Sequence, residues 1–287
     1  MNAIELNHIQ KSFPGFAIRD LCLTVPSGTI CGLVGENGAG KSTTIRLLMN
    51  ALRPDGGTAK VLGVDASSPA FRDVKEDVGV VMDEAYYPET LTAVQVGKVM
   101  AGTYRRWDQG TYEGYLRRFD LPEKKQFKDF SRGMKMKLAI AAALSHHPDL
   151  LILDEPTSGL DPLVRDEILD IFLDFLQDET RAVILSSHIT SDLDKVADTI
   201  ALLHEGKLLF HEEKDALRED YVVVKGGADQ RHLLDAADFI GVRENAFGFE
   251  ALCRRDAARR YPALTAERPT IEEIMLFYTR KKKGGRL

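Results

Sequence analysis

The residues most able to do chemistry in this 287-residue chain sit in one short run, Gly35-Glu-Asn-Gly-Ala-Gly-Lys-Ser-Thr43. A glycine, four free positions and then Gly40-Lys41-Ser42 is the spacing of a phosphate-binding loop. Glycines let main-chain N–H groups approach phosphate oxygens, and a helix starting there adds the positive end of its dipole. Gly35, Asn37, Gly38, Ala39, Gly40 and Thr43 are therefore expected to wrap a nucleotide's phosphates. Lys41 is expected to reach the β- and γ-phosphates, and Ser42 to bind the magnesium ion that bridges them.

A second group follows much later. Leu150-Leu-Ile-Leu-Asp-Glu155 is four apolar residues and then two carboxylates. A buried strand with acids at its C-terminal end puts them where open α/β sheets bind ligands. Asp154 there can hold magnesium, usually through water, and Glu155 can polarise or deprotonate an attacking water. Ser186-Ser187-His188 ends another apolar run, Ala182 to Leu185, and would face the same edge. A surface histidine at a helix start gives the same pattern, so spacing alone leaves both readings of His188 open. Phe13, with Phe16 close by, either stacks on a nucleotide base or is a core aromatic at a strand end.

The elements that must position these groups alternate in type. Ala3 to Gln10 and Ile18 to Val25 read as strands around the turn Pro14-Gly15, and Thr29 to Val34 as the strand feeding the loop. Thr43 to Leu52 has helical spacing; Thr58 to Val64 reads as a strand, Pro69 to Asp77 as a short helix, and Val78 to Met82 as a buried strand ending in Asp83-Glu84. Leu91 to Phe119 carries an apolar stripe of Val94, Val99, Met100, Trp107, Tyr112, Tyr115 and Phe119, so residues 85–145 are expected to be a helical insert. Pro162 to Gln177 is a further helix. The class is α/β, a mixed sheet core carrying a helical subdomain.

Composition narrows the setting. The net charge of −6 argues against broad nucleic-acid binding. Apolar runs such as Leu138 to Leu144 are too short to span a bilayer. The start MNAIELNHIQ has no basic region followed by an apolar core, so no signal peptide is expected and the compartment reads as cytoplasmic. Cys22, Cys31 and Cys253 lack metal-ligand spacing and read as buried small hydrophobes.

Together these motifs resemble the ATP-binding subunit of an ABC transporter, over about residues 1–215. GENGAGKS is similar to that family's Walker A loop, LLILDE to its Walker B strand, Ser158-Gly159-Leu160-Asp161 to its D-loop, and His188 to its switch histidine. Phe130-Ser131-Arg132-Gly133-Met134 stands where the family has its LSGGQ signature; Arg132 and Met134 depart from it, while Ser131 and Gly133 remain. The resemblance implies the phosphate-loop ABC ATPase fold, Mg-ATP as ligand, and hydrolysis in a dimer of ATPase subunits, homomeric or heteromeric. In that dimer Ser131, Gly133 and Asp161 of one subunit would meet ATP held by the other. Asp83 replaces the family's Q-loop glutamine and could still touch metal and water. The Ser-Arg-Gly-Met-Lys variant and the long tail are similar to bacterial type-2 exporters, including bacitracin-type ones. Such a subunit would sit at the inner face of the membrane, held there by an integral membrane permease. A soluble ATPase that remodels a cytoplasmic complex is the alternative.

Composition breaks near Tyr221. Residues 1–219 are expected to form the ATPase domain and 220–287 a small α+β accessory domain. In the latter, Tyr221 to Lys225 reads as a strand and Asp229 to Ala237 as a helix candidate. Thr270 and Glu273 make a capping box ahead of Ile274, Phe277 and Tyr278. Arg280-Lys281-Lys282-Lys283 is either a frayed, solvated end or a contact for an acidic membrane surface.

Overall fold

Three β-sheets organise the described residues of the chain, 1–83 and 87–280 of a computed structural model. Strands β1 (Asn2–Phe13) and β2 (Phe16–Pro26) form a hairpin around Pro14-Gly15, with Gly15 at φ 82°. Then come β3 (Ile30–Val34), α1 (Lys41–Leu48), β4 (Gly56–Val61), β5 (Val64–Asp65), α2 (Phe71–Val74) and β6 (Val78–Val81). An antiparallel sheet runs in the order β2-β1-β4-β5. The single strand expected from Thr58 to Val64 is two, because Leu62 (φ 48°) and Gly63 (φ 80°) make a left-handed turn that pairs Val61 with Val64.

The expected helical insert contains α3 (Ala93–Ala101), α4 (Gln109–Arg118) and α5 (Arg132–Leu144), and residues 84–86 lie outside the described part. Each helix starts on a side chain that satisfies an orphan N–H: Thr92 in a capping box with Gln95, Asp108 accepting from Thr111 N, and Ser131 from Met134 N. Tyr112 is fully buried and its hydroxyl donates to Ala93 O at 2.8 Å. Its ring lies so close to Gly97 that a Cβ there would stand 2.5 Å from Cε1. Val99 departs from the expected stripe at 55% exposure, because the packed face of α3 is set by Ala93, Val96 and Gly97.

The central layer is completed by β7 (Leu150–Asp154), α6 (Pro162–Phe175), β8 (Ala182–Ser187), α7 (Thr190–Val196), β9 (Thr199–His204) and β10 (Lys207–Glu213). The central sheet runs β10-β9-β3-β8-β7-β6, parallel except where β10 turns back along β9. Every residue of β3, β7 and β8 is buried, which is why these strands read as continuous apolar runs and not as alternations.

The last part holds α8 (Lys214–Asp220), β11 (Tyr221–Gly227), β12 (Phe239–Asn245), β13 (Gly248–Arg254), α9 (Arg255–Ala258), β14 (Thr265–Glu267) and α10 (Ile271–Arg280). Its sheet is antiparallel, in the order β12-β13-β11-β14. The helix expected from Asp229 to Ala237 is replaced by two 3-10 turns, Ala228–Leu233 and Ala236–Asp238. Asp235 separates them, its carboxylate taking the Ala237 N–H and so competing with helical hydrogen bonding. The expected capping box is formed: Thr270 N donates to Glu273 Oε2 at 2.8 Å, and Glu273 N to Thr270 Oγ1 at 3.1 Å. Ile271, Ile274 and Phe277 of α10 share one core with Leu193, Val196 and Leu202 of the central layer. Residues 281–283 of the basic run lie outside the described part. No described helix is long and apolar enough to cross a membrane.

His146, just past α5, is fully buried, stacked on Tyr104 at 3.8 Å between centroids, with Nδ1 3.0 Å from Glu76 O. Burial pushes its pKa below the ordinary 6.5. The unfolded chain therefore binds a proton near pH 6.5 that the fold refuses, so stability is full above that pH and falls as pH drops towards the folded value. Thermal melts should show a smaller loss between about pH 7 and 5.5 for His146→Phe, which keeps the stack, than for the parent. Equal pH dependence would mean that another group titrates.

Candidate nucleotide-binding site

The phosphate loop leaves β3 at Val34 and enters α1 at Lys41. Gly40, at the helix cap, has φ 114°, a backbone conformation that strains any residue with a side chain, and a Cβ there would also push on Ile18 Cδ1 at 2.6 Å. The first N–H groups of α1 have no partner within the helix and are available to phosphate oxygens. Lys41 is not a lysine on an open loop: it is 6% exposed and folds back so that Nζ donates to Gly35 O at 2.7 Å. Gly35 and Ala39 are buried within the loop. Asn37, Gly38, Gly40, Lys41, Ser42 and Thr43 line an open cleft of about 510 Å³, and Asp83 and Glu155 form part of its wall.

That wall is the carboxyl edge of the central sheet. Asp154, 1% exposed, accepts from Ser186 Oγ at 2.5 Å through Oδ1, while its Oδ2 is buried with no hydrogen-bond partner among the described residues. Glu155 turns sharply, with φ 50°, a conformation that costs a non-glycine residue about 1–3 kcal/mol. Ser186 supports the turn, because Glu155 N lies 3.1 Å from both the carbonyl and the hydroxyl oxygen of Ser186. The turn aims the carboxylate between two bases. Oε2 is 2.6 Å from His188 Nδ1, and Oε1 is 3.2 Å from Lys41 Nζ, in an ion contact without hydrogen-bond alignment. Ser186 is the residue that sequence reasoning passed over; its role depends on the cross-strand register that pairs it with Asp154.

The donor set fits magnesium. Asp154 Oδ2 is a buried carboxylate oxygen lacking a partner, and the Ser42 hydroxyl and the Asp83 carboxylate line the cleft. Hard oxygen ligands of this kind suit Mg2+, which keeps several of its waters when bound.

Other expected residues stand elsewhere. Ser131 caps α5, Asp161 is at the cap of α6, and Gly133 has room for a Cβ 3.6 Å from Val164 Cγ1. The Arg132 guanidinium lies over Gly159, within 3.2 Å of where a Cβ would be. The Ser131–Gly133 and Ser158–Asp161 runs thus meet on a surface separate from the cleft. Phe13 is not a core aromatic: it is 39% exposed and stands beside Phe16 at 6.3 Å, and Phe16 is the ring that lines the cleft. Cys31 and Cys253 are buried, which pushes their thiols up to about 12 and about 11. Cys22 is exposed, contrary to expectation, because it falls on the outward phase of β2 between the buried Leu21 and Leu23.

The ABC transporter family matches residues 18–158, a span that contains the phosphate loop and the acidic pair. The lantibiotic transport ATP-binding protein SrtF of Streptococcus pyogenes is 33% identical over 215 residues, covering 74% of this chain and 91% of that protein. The bacitracin transport ATP-binding protein BcrA of Enterococcus faecalis is 32% identical over 209 residues, covering 72% of this chain and 68% of that one. A solved ATP binding subunit of an ABC transporter superposes with a TM-score of 0.69 at 26% identity, over 75% of this chain and 92% of its own. Likeness sustained along nearly the whole of a relative is more than a shared motif, and it makes this chain a member of the ABC transporter family, as an ATP-binding, ATP-hydrolysing subunit.

Proposed function

We propose that this chain is the ATPase of an exporter, working at the inner face of the cell membrane against a separate integral membrane permease. The observation that carries the catalytic part is the Glu155 carboxylate, 2.6 Å from His188 and 3.2 Å from Lys41, in the wall of the cleft of about 510 Å³ beside the phosphate loop. The exporter part draws on relatives named for bacitracin and lantibiotic transport.

In this reading Asn37, Gly38, Ala39, Gly40 and Thr43 wrap the phosphates with main-chain N–H groups, and Lys41 compensates their charge. Phe16, or Phe13 after a small movement, supports the base. Ser42, Asp154 and Asp83 hold Mg2+, which when bound neutralises phosphate charge. Glu155 takes the proton of the attacking water, and His188 fixes its carboxylate and reaches the γ-phosphate. Ser131, Gly133 and Asp161 act across the dimer on ATP bound to the other subunit, giving two composite sites. Residues 1–219 are the ATPase domain and 220–287 its accessory domain. Hydrolysis reopens the dimer, and that motion drives the permease.

The test is purification of the tagged chain from membranes of its own host. The expected result is a stable complex with a subunit of about six membrane-spanning segments. Recovery with a soluble complex alone would refute the exporter reading.

A further inference from the structure

We propose that His8, Asp20 and Cys22 form a binding site for a zinc-type divalent cation on the outer face of the β1–β2 hairpin. One ligand atom from each lies within 4.8 Å of the others. His8 Nδ1 is 2.7 Å from Asp20 Oδ1 and 3.6 Å from Cys22 Sγ. Zinc bonds of about 2.0–2.3 Å to nitrogen, oxygen and sulfur give tetrahedral edges near 3.3–3.7 Å. The His8–Cys22 edge already has that length. The His8–Asp20 edge opens by about 0.6 Å when the ion replaces the proton the pair shares. Water supplies the fourth ligand.

The backbone brings the three together by two bulges, one on each strand. Pairing passes from Leu6↔Leu23 to Ile9↔Leu21, so Asn7 and His8 stand opposite the single residue Cys22. It then passes from Ile9↔Leu21 to Lys11↔Ile18, so Arg19 and Asp20 stand opposite Gln10 alone. His8 and Asp20 are the residues left in the left-handed region, at φ 52° and 54°. Bulges re-aim side chains, and these two turn side chains towards each other that a regular ladder would separate. The arrangement is held from several sides. His8 N donates to Cys22 Sγ at 3.3 Å, and Gly57 of β4 packs so closely that a Cβ there would lie 2.4 Å from His8 O.

A thiol, an imidazole and a carboxylate select a borderline metal such as Zn2+ over Mg2+, which prefers oxygen alone. The site is thereby chemically distinct from the nucleotide cleft, and it does not depend on the exporter reading. All three residues are exposed, so the ion is exchangeable.

Cobalt(II) is the probe. Titrated into the metal-free full-length chain, it should bind one equivalent with a thiolate-to-cobalt charge-transfer band in the near ultraviolet, and Zn2+ should bleach that band. Cys22→Ser should abolish the band while leaving Cys31 and Cys253 in place. His8→Ala should weaken binding by at least about tenfold, the lower bound for losing even an outer hydrogen-bond partner of a metal ligand. A parent without a thiolate band would overturn the proposal. So would a band that survives Cys22→Ser, since the ion would then sit on another cysteine.

Discussion

Glu155→Gln is expected to lower ATP turnover by about 10²–10⁴-fold, the usual contribution of a positioned general base, while binding survives. Glutamine keeps the side chain's length and its hydrogen-bonding reach, and the Ser186 contacts that hold the left-handed turn involve only main-chain atoms of residue 155. What disappears is the negative charge that holds Lys41 Nζ at 3.2 Å and His188 Nδ1 at 2.6 Å. A Lys41 no longer attracted to Glu155 is freer to meet phosphate, so ATP affinity should hold or rise. With hydrolysis blocked, Mg-ATP should keep two subunits together. Size-exclusion chromatography should then show monomer without nucleotide and dimer with Mg-ATP. Adding Ser131→Arg should abolish the dimer by filling the site for the other subunit's γ-phosphate. Arginine also removes the cap of α5, which costs about 1 kcal/mol. Ser131→Asp separates the two effects, because it keeps a capping oxygen and adds only a repelling charge. Parental turnover in Glu155→Gln would overturn its role as base. Slow turnover without any dimer would overturn self-association and point to a partner subunit.

The sequence disclosed most where one local pattern decides the outcome. The phosphate loop needs consecutive residues in a strand–turn–helix context, and both flanks were readable as such. The buried strands β3, β7 and β8 were equally legible, since parallel strands covered on both faces are apolar throughout. Legibility failed where contacts between distant segments decide. The exposure of Lys41 depends on its own carbonyl partner Gly35 and on Glu155, far along the chain but only 3.2 Å away in space. Ser186 matters because of strand register, which no single stretch encodes. The choice of Phe16 over Phe13 at the cleft follows from how the hairpin lies over Gly40. The grouping of His8 with Asp20 and Cys22 needs two bulges that no spacing rule announces. Asp229 to Ala237 failed for a local reason, because the Asp235 side chain satisfies a main-chain N–H that a helix would need.

Lys41→Met is expected to remove ATP binding while the chain still folds, melting a few degrees lower because the buried Gly35 O loses its donor. The lysine stem is buried, so truncation to alanine would confound missing charge with missing packing, whereas methionine fills similar volume without charge. A hydrogen bond to a charged group contributes about 1.5–3 kcal/mol, so removing one from a phosphate oxygen lowers affinity by roughly 10–150-fold. In the proposed role Lys41 serves both the β- and the γ-phosphate, and removing both hydrogen bonds at once would put binding beyond the range of ordinary titration. Within the protein the substitution leaves Gly35 O without its donor and removes the Glu155 ion contact, but His188 still pairs with Glu155, so the strand edge keeps its shape. Lys41→Ala should bind as poorly as Lys41→Met and melt lower, the difference between the two measuring the packing of the stem. Equilibrium binding of a fluorescent ATP analogue, with thermal melts of the same samples, reads both effects. Parental affinity in Lys41→Met would overturn the assignment of the Gly35–Thr43 loop as the phosphate site. Affinity that falls in step with stability would show that Lys41 acts through the fold and not on the phosphates.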